Sequence, residues 1–324
     1  MRSCCSWTAC GPISTRRPSG RRSRTIPRGR GALAAVEGRK GSLSEGEGAE
    51  EPVTQRENSR GGNLVRRIIT ALALLPIVIG AVWAGDVWFR LLLAVAGVIA
   101  GLEWAMMFFR RHRARLTFLA VFAIAGLGLL LAPAGMMLGR ACLWFVVPGL
   151  LVGLAGRVLR RPSLAWSGFA FAWTWLALVS FAWLRSRPED GLFWTLWVLL
   201  LVWATDIGGY FAGRGIGGPR LAVRISPNKT WAGLFGGMVL AALAAVLVGS
   251  IADAQAFGPV FHALAGAGLA VVAQAGDLLE SAVKRHFGVK DSSHLIPGHG
   301  GLLDRIDGLL AAGPVVAIVL AWAG

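Results

Sequence analysis

The chain has 324 residues, of which 55% are hydrophobic and only 15% charged. A soluble domain usually carries about 25% charged residues, so the composition excludes a single water-facing globule and predicts an all-α, polytopic membrane protein. The net charge of +16 does not point to nucleic acid. Roughly half of the excess precedes residue 68, and the rest sits in short loops between apolar runs, where membrane topology places positive charge. Fourteen Trp against one Tyr fits anchoring at membrane interfaces. The four cysteines, Cys4, Cys5, Cys10 and Cys142, form neither a zinc spacing nor a disulfide framework.

In chain order, residues 1–63 come first as an Arg/Gly/Ser/Pro-rich basic tail without apolar periodicity, expected to be disordered. The tail has no apolar core of the kind a secretory signal needs, and translation beginning nearer Val53 would remove it. Residues 64–324 form the membrane domain. Apolar runs near the ~20-residue bilayer length predict about nine spans, at 68–85, 91–109, 116–137, 141–156, 164–184, 192–212, 230–251, 257–276 and 305–323. The fourth run is short and contains Pro148 and Gly149.

Charge alternates along the connections. Arg66-Arg67, 110–115, 157–162, 213–229 and 284–290 are rich in Lys and Arg, whereas 85–86, 139–140, 185–190 and 251–256 are poor in positive charge or balanced by acid. The positive-inside rule then predicts a cytoplasmic N-terminus and an outer C-terminus, with the loops at 213–229 and 284–304 facing the cytosol.

A carboxylate at mid-membrane costs about 2.5–3.5 kcal/mol on insertion scales, so acids in or at the ends of spans need a reason. Glu103, Asp206, Asp277 with Glu280, and Asp304 with Asp307 are such residues. If the helix of the eighth span continues past 276, Gln274, Asp277, Ser281 and Lys284 form one polar stripe with Glu280 beside it. Asp304 and Asp307, three apart, project together at the start of the last span. Between them the chain turns through Pro297, Gly298, Gly300 and Gly301. Two acidic stripes meeting at the cytosolic edge suit Mg²⁺, which takes few carboxylates and leaves room for substrate phosphates. Helix capping and headgroup anchoring would account for Asp304 beside Arg305, but not for Gln274, Asp277 and Glu280 one to two turns up an apolar helix. Glu103 implies a buried partner that the sequence does not name.

The segment 206–233 reads as a second, glycine-rich and basic loop without a Walker A pattern. Its end, SPNKT at 226–230, is more informative. Ser226 and Thr230 carry hydroxyls, Lys229 a point charge suited to phosphate, and the helix starting there offers free N–H groups to an anion. His262 reads as interfacial and His112 as part of a solvated basic loop.

These residues resemble a known family. Ser281, Lys284-Arg285, Lys290-Asp291, His299-Gly300-Gly301 and Asp304-Arg305-Ile306-Asp307 are similar, at the same spacing, to the signature of phosphatidate cytidylyltransferases (CDP-diacylglycerol synthases). The SPNKT element with Trp231 and Gly233 resembles that family's S-P-x-K-T-x-E-G element, except that Ala232 stands where Glu is usual. The resemblance runs loosely from residue 64 to 324.

It implies a transferase that joins CTP to phosphatidic acid, releasing pyrophosphate and giving CDP-diacylglycerol, with Mg²⁺, in the bacterial inner membrane and with a cytoplasmic site. It implies metal binding at Asp277 and Asp304, with Asp307 and Asp206 as further candidates. Ser226, Lys229, Thr230 and Ser281 would bind substrate phosphates. Lys284, Arg285, Lys290, Asp291, His299 and Arg305 would form the catalytic set, in which the cations neutralise phosphates while Asp291 and His299 shape the site. The lipid bilayer is a partner, nucleic acid is not, and a homodimer is compatible.

Two other readings remain open. A CDP-alcohol phosphotransferase also uses aspartates at a helix end, but its D-G-x2-A-R-x-x-G-x-x-x-D run is absent. A transporter would hold its polar residues near span centres, whereas these cluster at the ends.

Overall fold

In the computed structural model the described residues are 74–133, 136–251, 258–293, 295 and 300–323. The basic tail, the start of the first predicted span and His299 lie outside them. The described residues are almost entirely helical. A short apolar helix α1 (Leu74–Ala84) is followed by α2 (Asp86–Phe108), α3 (His112–Leu131), α4 (Leu138–Phe145), α5 (Val147–Val158), α6 (Pro162–Arg185) and α7 (Gly191–Gly215). A two-stranded antiparallel hairpin, β1 (Arg220–Ala222) and β2 (Ser226–Thr230), leads into α8 (Trp231–Ile251), α9 (Pro259–His286) and α10 (Leu303–Ala323). Among the described residues eight helical segments are long and apolar enough to cross a membrane, with α4 and α5 counting as one. In lipid every backbone polar group must be satisfied internally, which is why so apolar a chain is helical.

The fourth predicted span is two helices because Pro148 starts α5 anew, just after the break at Val146. The eighth is longer than the apolar run, since α9 carries its polar residues as a helical extension to His286. The apparent glycine-rich loop from 206 is helix as far as Gly215. Gly208 and Gly209 face α8, where a Cβ on Gly208 would lie 2.5 Å from the Gly236 carbonyl oxygen. These glycines let two membrane helices approach closely. SPNKT, expected at the end of a loop, is strand β2.

Helices α6 and α7 bury more than half of their apolar windows and form the centre of the packing. Trp175, Leu184, Leu201 and Leu310 are fully enclosed there. Loops group at two ends. At one, Arg185 donates to the backbone oxygen of Val82 at 2.6 Å, and Arg90 to that of Ala132. At the other, Phe108 meets Phe287 at 4.7 Å, Trp166 meets His286 at 4.9 Å, and Arg285 reaches the hairpin at Ile225. This partition matches the alternation of basic and non-basic loops read from the sequence.

Candidate active site

The end that carries Phe108, His286 and the hairpin also gathers the charged residues. Gly276 sets the approach of α9 to α10. An added Cβ there would lie 2.6 Å from the Ala311 side chain and 2.8 Å from the Asp307 carbonyl oxygen. The helices therefore touch backbone to backbone one residue before Asp277, so the polar stripe of α9 lies against the first turns of α10.

Two lysine–carboxylate pairs result. Lys229, at the end of β2, pairs with Asp277 across 48 positions. Ser281, one turn on, donates to the other Asp277 oxygen at 3.3 Å. Lys284 donates to Asp304 at 2.6 Å and stands 3.4 Å from Glu280. The second pair is the more enclosed, with side chains 9% and 12% exposed. Asp304 also accepts from the Ser292 hydroxyl at 3.1 Å and from the Gly301 N–H at 3.0 Å, so it ties α9, α10 and the connection between them together. Charges withdrawn this far from water persist only when paired and hydrogen-bonded.

Asp206 on α7 and Asp307 on α10 both lie within electrostatic range of Asp277. Asp307 also lies within electrostatic range of Glu280, which is buried beside the Lys284 ammonium. Beside this group is a polar cavity of ≈ 270 Å³, with Asp206, Ser226, Lys229, Thr230, Gln274 and Asp277 on its wall. The stripe expected on α9 is thus real, and it meets Asp206, the hairpin and α10 at one place.

Other expected site residues are placed differently. Arg285 donates to the backbone oxygens of Ile225 and Val289 at 3.2 and 3.1 Å; it holds the hairpin to the end of α9. Thr230 caps α8 by accepting the Gly233 N–H at 3.1 Å, and the Trp231 N–H goes to Pro219, so two of the N–H groups expected to meet an anion are already used. Lys290 and Asp291 are exposed on the connection after α9. Arg305 is exposed and within electrostatic range of Asp206. Among the described residues no three acidic, His or Cys side chains lie close enough to hold a metal ion by themselves.

The partner of Glu103 is the start of α10. Its fully buried carboxylate accepts four hydrogen bonds: from the N–H groups of Leu302 and Leu303 at 2.7 and 2.8 Å, and from the hydroxyls of Ser293 and Ser292 at 2.7 and 3.0 Å. The first N–H groups of a helix have no partner within it, and Glu103 provides one from a helix about 200 residues away. Sequence reasoning missed Ser292 and Ser293 because nothing local in KDSSHL marks them as donors to a distant carboxylate.

Known proteins match the chain over its helical domain. A family model described as the cytidylyltransferase family matches residues 65–323. A phosphatidate cytidylyltransferase of Brucella suis is 40% identical over 259 residues, 77% of this chain and 90% of the relative. One from Pseudomonas aeruginosa is 38% identical over 273 residues, 80% of this chain and 97% of the relative. A Bacillus subtilis protein of the same name is 40% identical over a shorter stretch of 138 residues, 43% of this chain and 51% of the relative. With its whole helical domain matched, from before α1 to the end of α10, this multi-pass membrane protein belongs to the cytidylyltransferase family.

Proposed function

We propose that the protein transfers CMP from CTP to phosphatidic acid, giving CDP-diacylglycerol and pyrophosphate, at the cytoplasmic face of the bacterial inner membrane. The observation that carries this reading is the pair of lysine–carboxylate contacts, Lys229–Asp277 and Lys284–Asp304, beside a polar cavity at one end of the helices. The names of the relatives supply the substrates.

Both substrates are anionic, so their repulsion must be offset before an oxygen of the lipid phosphate attacks the α-phosphorus of CTP. One P–O bond forms, the bond to the β-phosphate bridge breaks, and pyrophosphate leaves. No covalent enzyme intermediate is needed. Lys229, with Ser226 and Gln274 on the same cavity wall, binds and orients phosphate oxygens. Lys284 offsets charge on the α9–α10 side. Fixed positive groups in an enclosed site stabilise the charge that develops during transfer.

The carboxylates fit a divalent cation. Glu280 is buried with the Lys284 ammonium 3.4 Å away, and Asp307 lies within electrostatic range of Asp206, Asp277 and Glu280, so acids of three helices share one region. Mg²⁺ is commonly held by one or two carboxylates together with substrate phosphates, so an all-protein cage is not required. Asp277 and Asp304 would hold it, with Asp307 and Asp206 as further candidates; when bound it supplies charge neutralisation at the phosphates. As phosphates enter, the lysines move from carboxylate to phosphate and leave Asp277 and Asp304 available.

The cytoplasmic placement is supported by the basic loops at this end, and it suits a water-soluble nucleotide meeting a lipid held in the leaflet. Purified protein in mixed micelles of detergent and phosphatidic acid, given labelled CTP and Mg²⁺, should form a chloroform-soluble labelled product and release one pyrophosphate per turnover. Absence of both products would refute the reading.

A further inference from the structure

A second cavity lies on the far side of α9. It is a groove of ≈ 960 Å³ between α5, α6 and α9. Leu279, Ala282, Val283 and His286 of α9 line it. At about 100° per residue these positions lie opposite Asp277, Ser281 and Lys284, so the body of α9 separates the groove from the acidic cluster.

The groove has two chemically distinct parts. Along α5 and α6 its walls are apolar or small, including Leu150, Leu154 and Phe169. From Gly149 to Arg160 they span roughly 15 Å of helix rise, about one leaflet of a ~30 Å hydrocarbon core. At one end stand Arg157, Arg160 and His286, and no carboxylate lines the groove. Trp166, its ring tilted against His286 at 4.9 Å, sits at the boundary between the two parts. Pro162, which has no N–H, begins α6 at this same end, and the Leu164 and Ala165 N–H groups already bond the Arg161 oxygen at 3.1 Å.

Arg160 is the sole non-glycine residue with positive φ (52°) among the described residues. It follows α5 in a Schellman-type stop, with Arg161 N–H bonded to the Gly156 oxygen at 2.7 Å. Glycine is the usual residue at that position, and an L side chain there costs about 1–2 kcal/mol. Strained positions persist at ligand clamps. Neither Arg157 nor Arg160 has a carboxylate partner among the described residues. An unpaired cationic end on a leaflet-deep apolar trough matches the charge and shape of one class of molecule.

We propose that the groove binds one anionic diacyl phospholipid of the bilayer that does not itself react. An acyl chain lies along α5, α6 and α9, and the phosphate sits between Arg157 and Arg160. This holds whether or not the reaction assigned above is correct.

The test is native mass spectrometry of the full chain in detergent, with dioleoylphosphatidylglycerol or dioleoylphosphatidylcholine added at equal concentration. The wild type should retain the anionic lipid in preference to the zwitterionic one. Arg160→Gly should lower retention of phosphatidylglycerol about tenfold, the worth of one charge-assisted phosphate contact, while its lipid-free Tm stays level or rises because glycine relieves the positive φ. Leu154→Trp, which fills the trough and leaves both arginines, should also lose the lipid. Equal retention of both lipids by the wild type, or unchanged phosphatidylglycerol retention in both variants, would overturn the proposal. So would a dimer that forms through this face and excludes lipid. A raised KM for phosphatidic acid in Arg160→Gly, with phosphatidylglycerol retention unchanged, would make the groove the reacting lipid's path and would equally overturn it.

Discussion

Glu103 on α2 accepts the backbone N–H of Leu303, the first residue of α10, at 2.8 Å. One residue after Leu303 comes Asp304, which pairs with Lys284. A buried carboxylate on a distant helix thus fixes the start of the helix carrying two acids of the site. The same carboxylate receives Ser292 and Ser293, so the connection between α9 and α10 is held at both of its ends.

Glu103→Ala would take their acceptor from the N–H groups of Leu302 and Leu303 and from the Ser293 hydroxyl, while the Ser292 hydroxyl keeps Asp304. Each orphaned group costs about 1–3 kcal/mol, so the variant should lose at least about 3 kcal/mol and most of its turnover. Glu103→Gln keeps the volume but turns one acceptor into a donor. It should insert and remain folded by thermal unfolding, with kcat down at least tenfold and KM for CTP changed much less. Wild-type kcat in the folded Gln variant would show that the contact does not position Asp304.

The Lys284–Asp304 pair is largely withdrawn from solvent. Breaking one partner of such a pair costs about 3–5 kcal/mol, because the other is left charged and buried. Lys284→Met and Asp304→Leu should therefore each destabilise strongly, while the double variant recovers much of the loss and none of the activity. A thermal-unfolding double-mutant cycle with paired CTP assays measures both; additive single losses would contradict the pairing.

Much of this end of the molecule is legible in the sequence, for stated reasons. Asp277, Ser281 and Lys284 share a face because a helix repeats every 3.6 residues, and Asp304 stands out because acid at the head of an apolar span is costly. The contact of Glu103 with Leu302 and Leu303 is not legible, since no local pattern joins positions about 200 apart. The helix through Gly208 and Gly209 is not legible either, because the same small residue serves a turn and a tight helix seam. The hairpin at Ser226–Thr230 was hidden by proline and polar residues without alternation. His299, the motif's histidine, lies outside the described residues.

At the opposite end, Arg187 donates to Asp190 at 2.7 and 3.0 Å. That hydrogen bond, joined by one from Trp194, holds the Asp190 carboxyl below its ordinary range despite partial burial. A lowered folded value adds stability above the unfolded carboxylate range and loses it as pH falls through the folded value. With both side chains partly solvated the contribution is at most about 1 kcal/mol. Arg187→Ala should lower Tm slightly at pH 7, with the gap closing below about pH 4, and leave CTP turnover unchanged. A large loss of turnover would place chemistry at the wrong end.

The account turns on whether carboxylates of α9 and α10 serve one reaction. The direct measurement is Mg²⁺-dependent incorporation of labelled CTP into lipid by purified wild type, Asp277→Ala and Asp304→Ala, each checked for membrane insertion and folding. Loss of incorporation by at least two orders of magnitude in both inserted variants is the predicted result. Near-wild-type incorporation in either would contradict it.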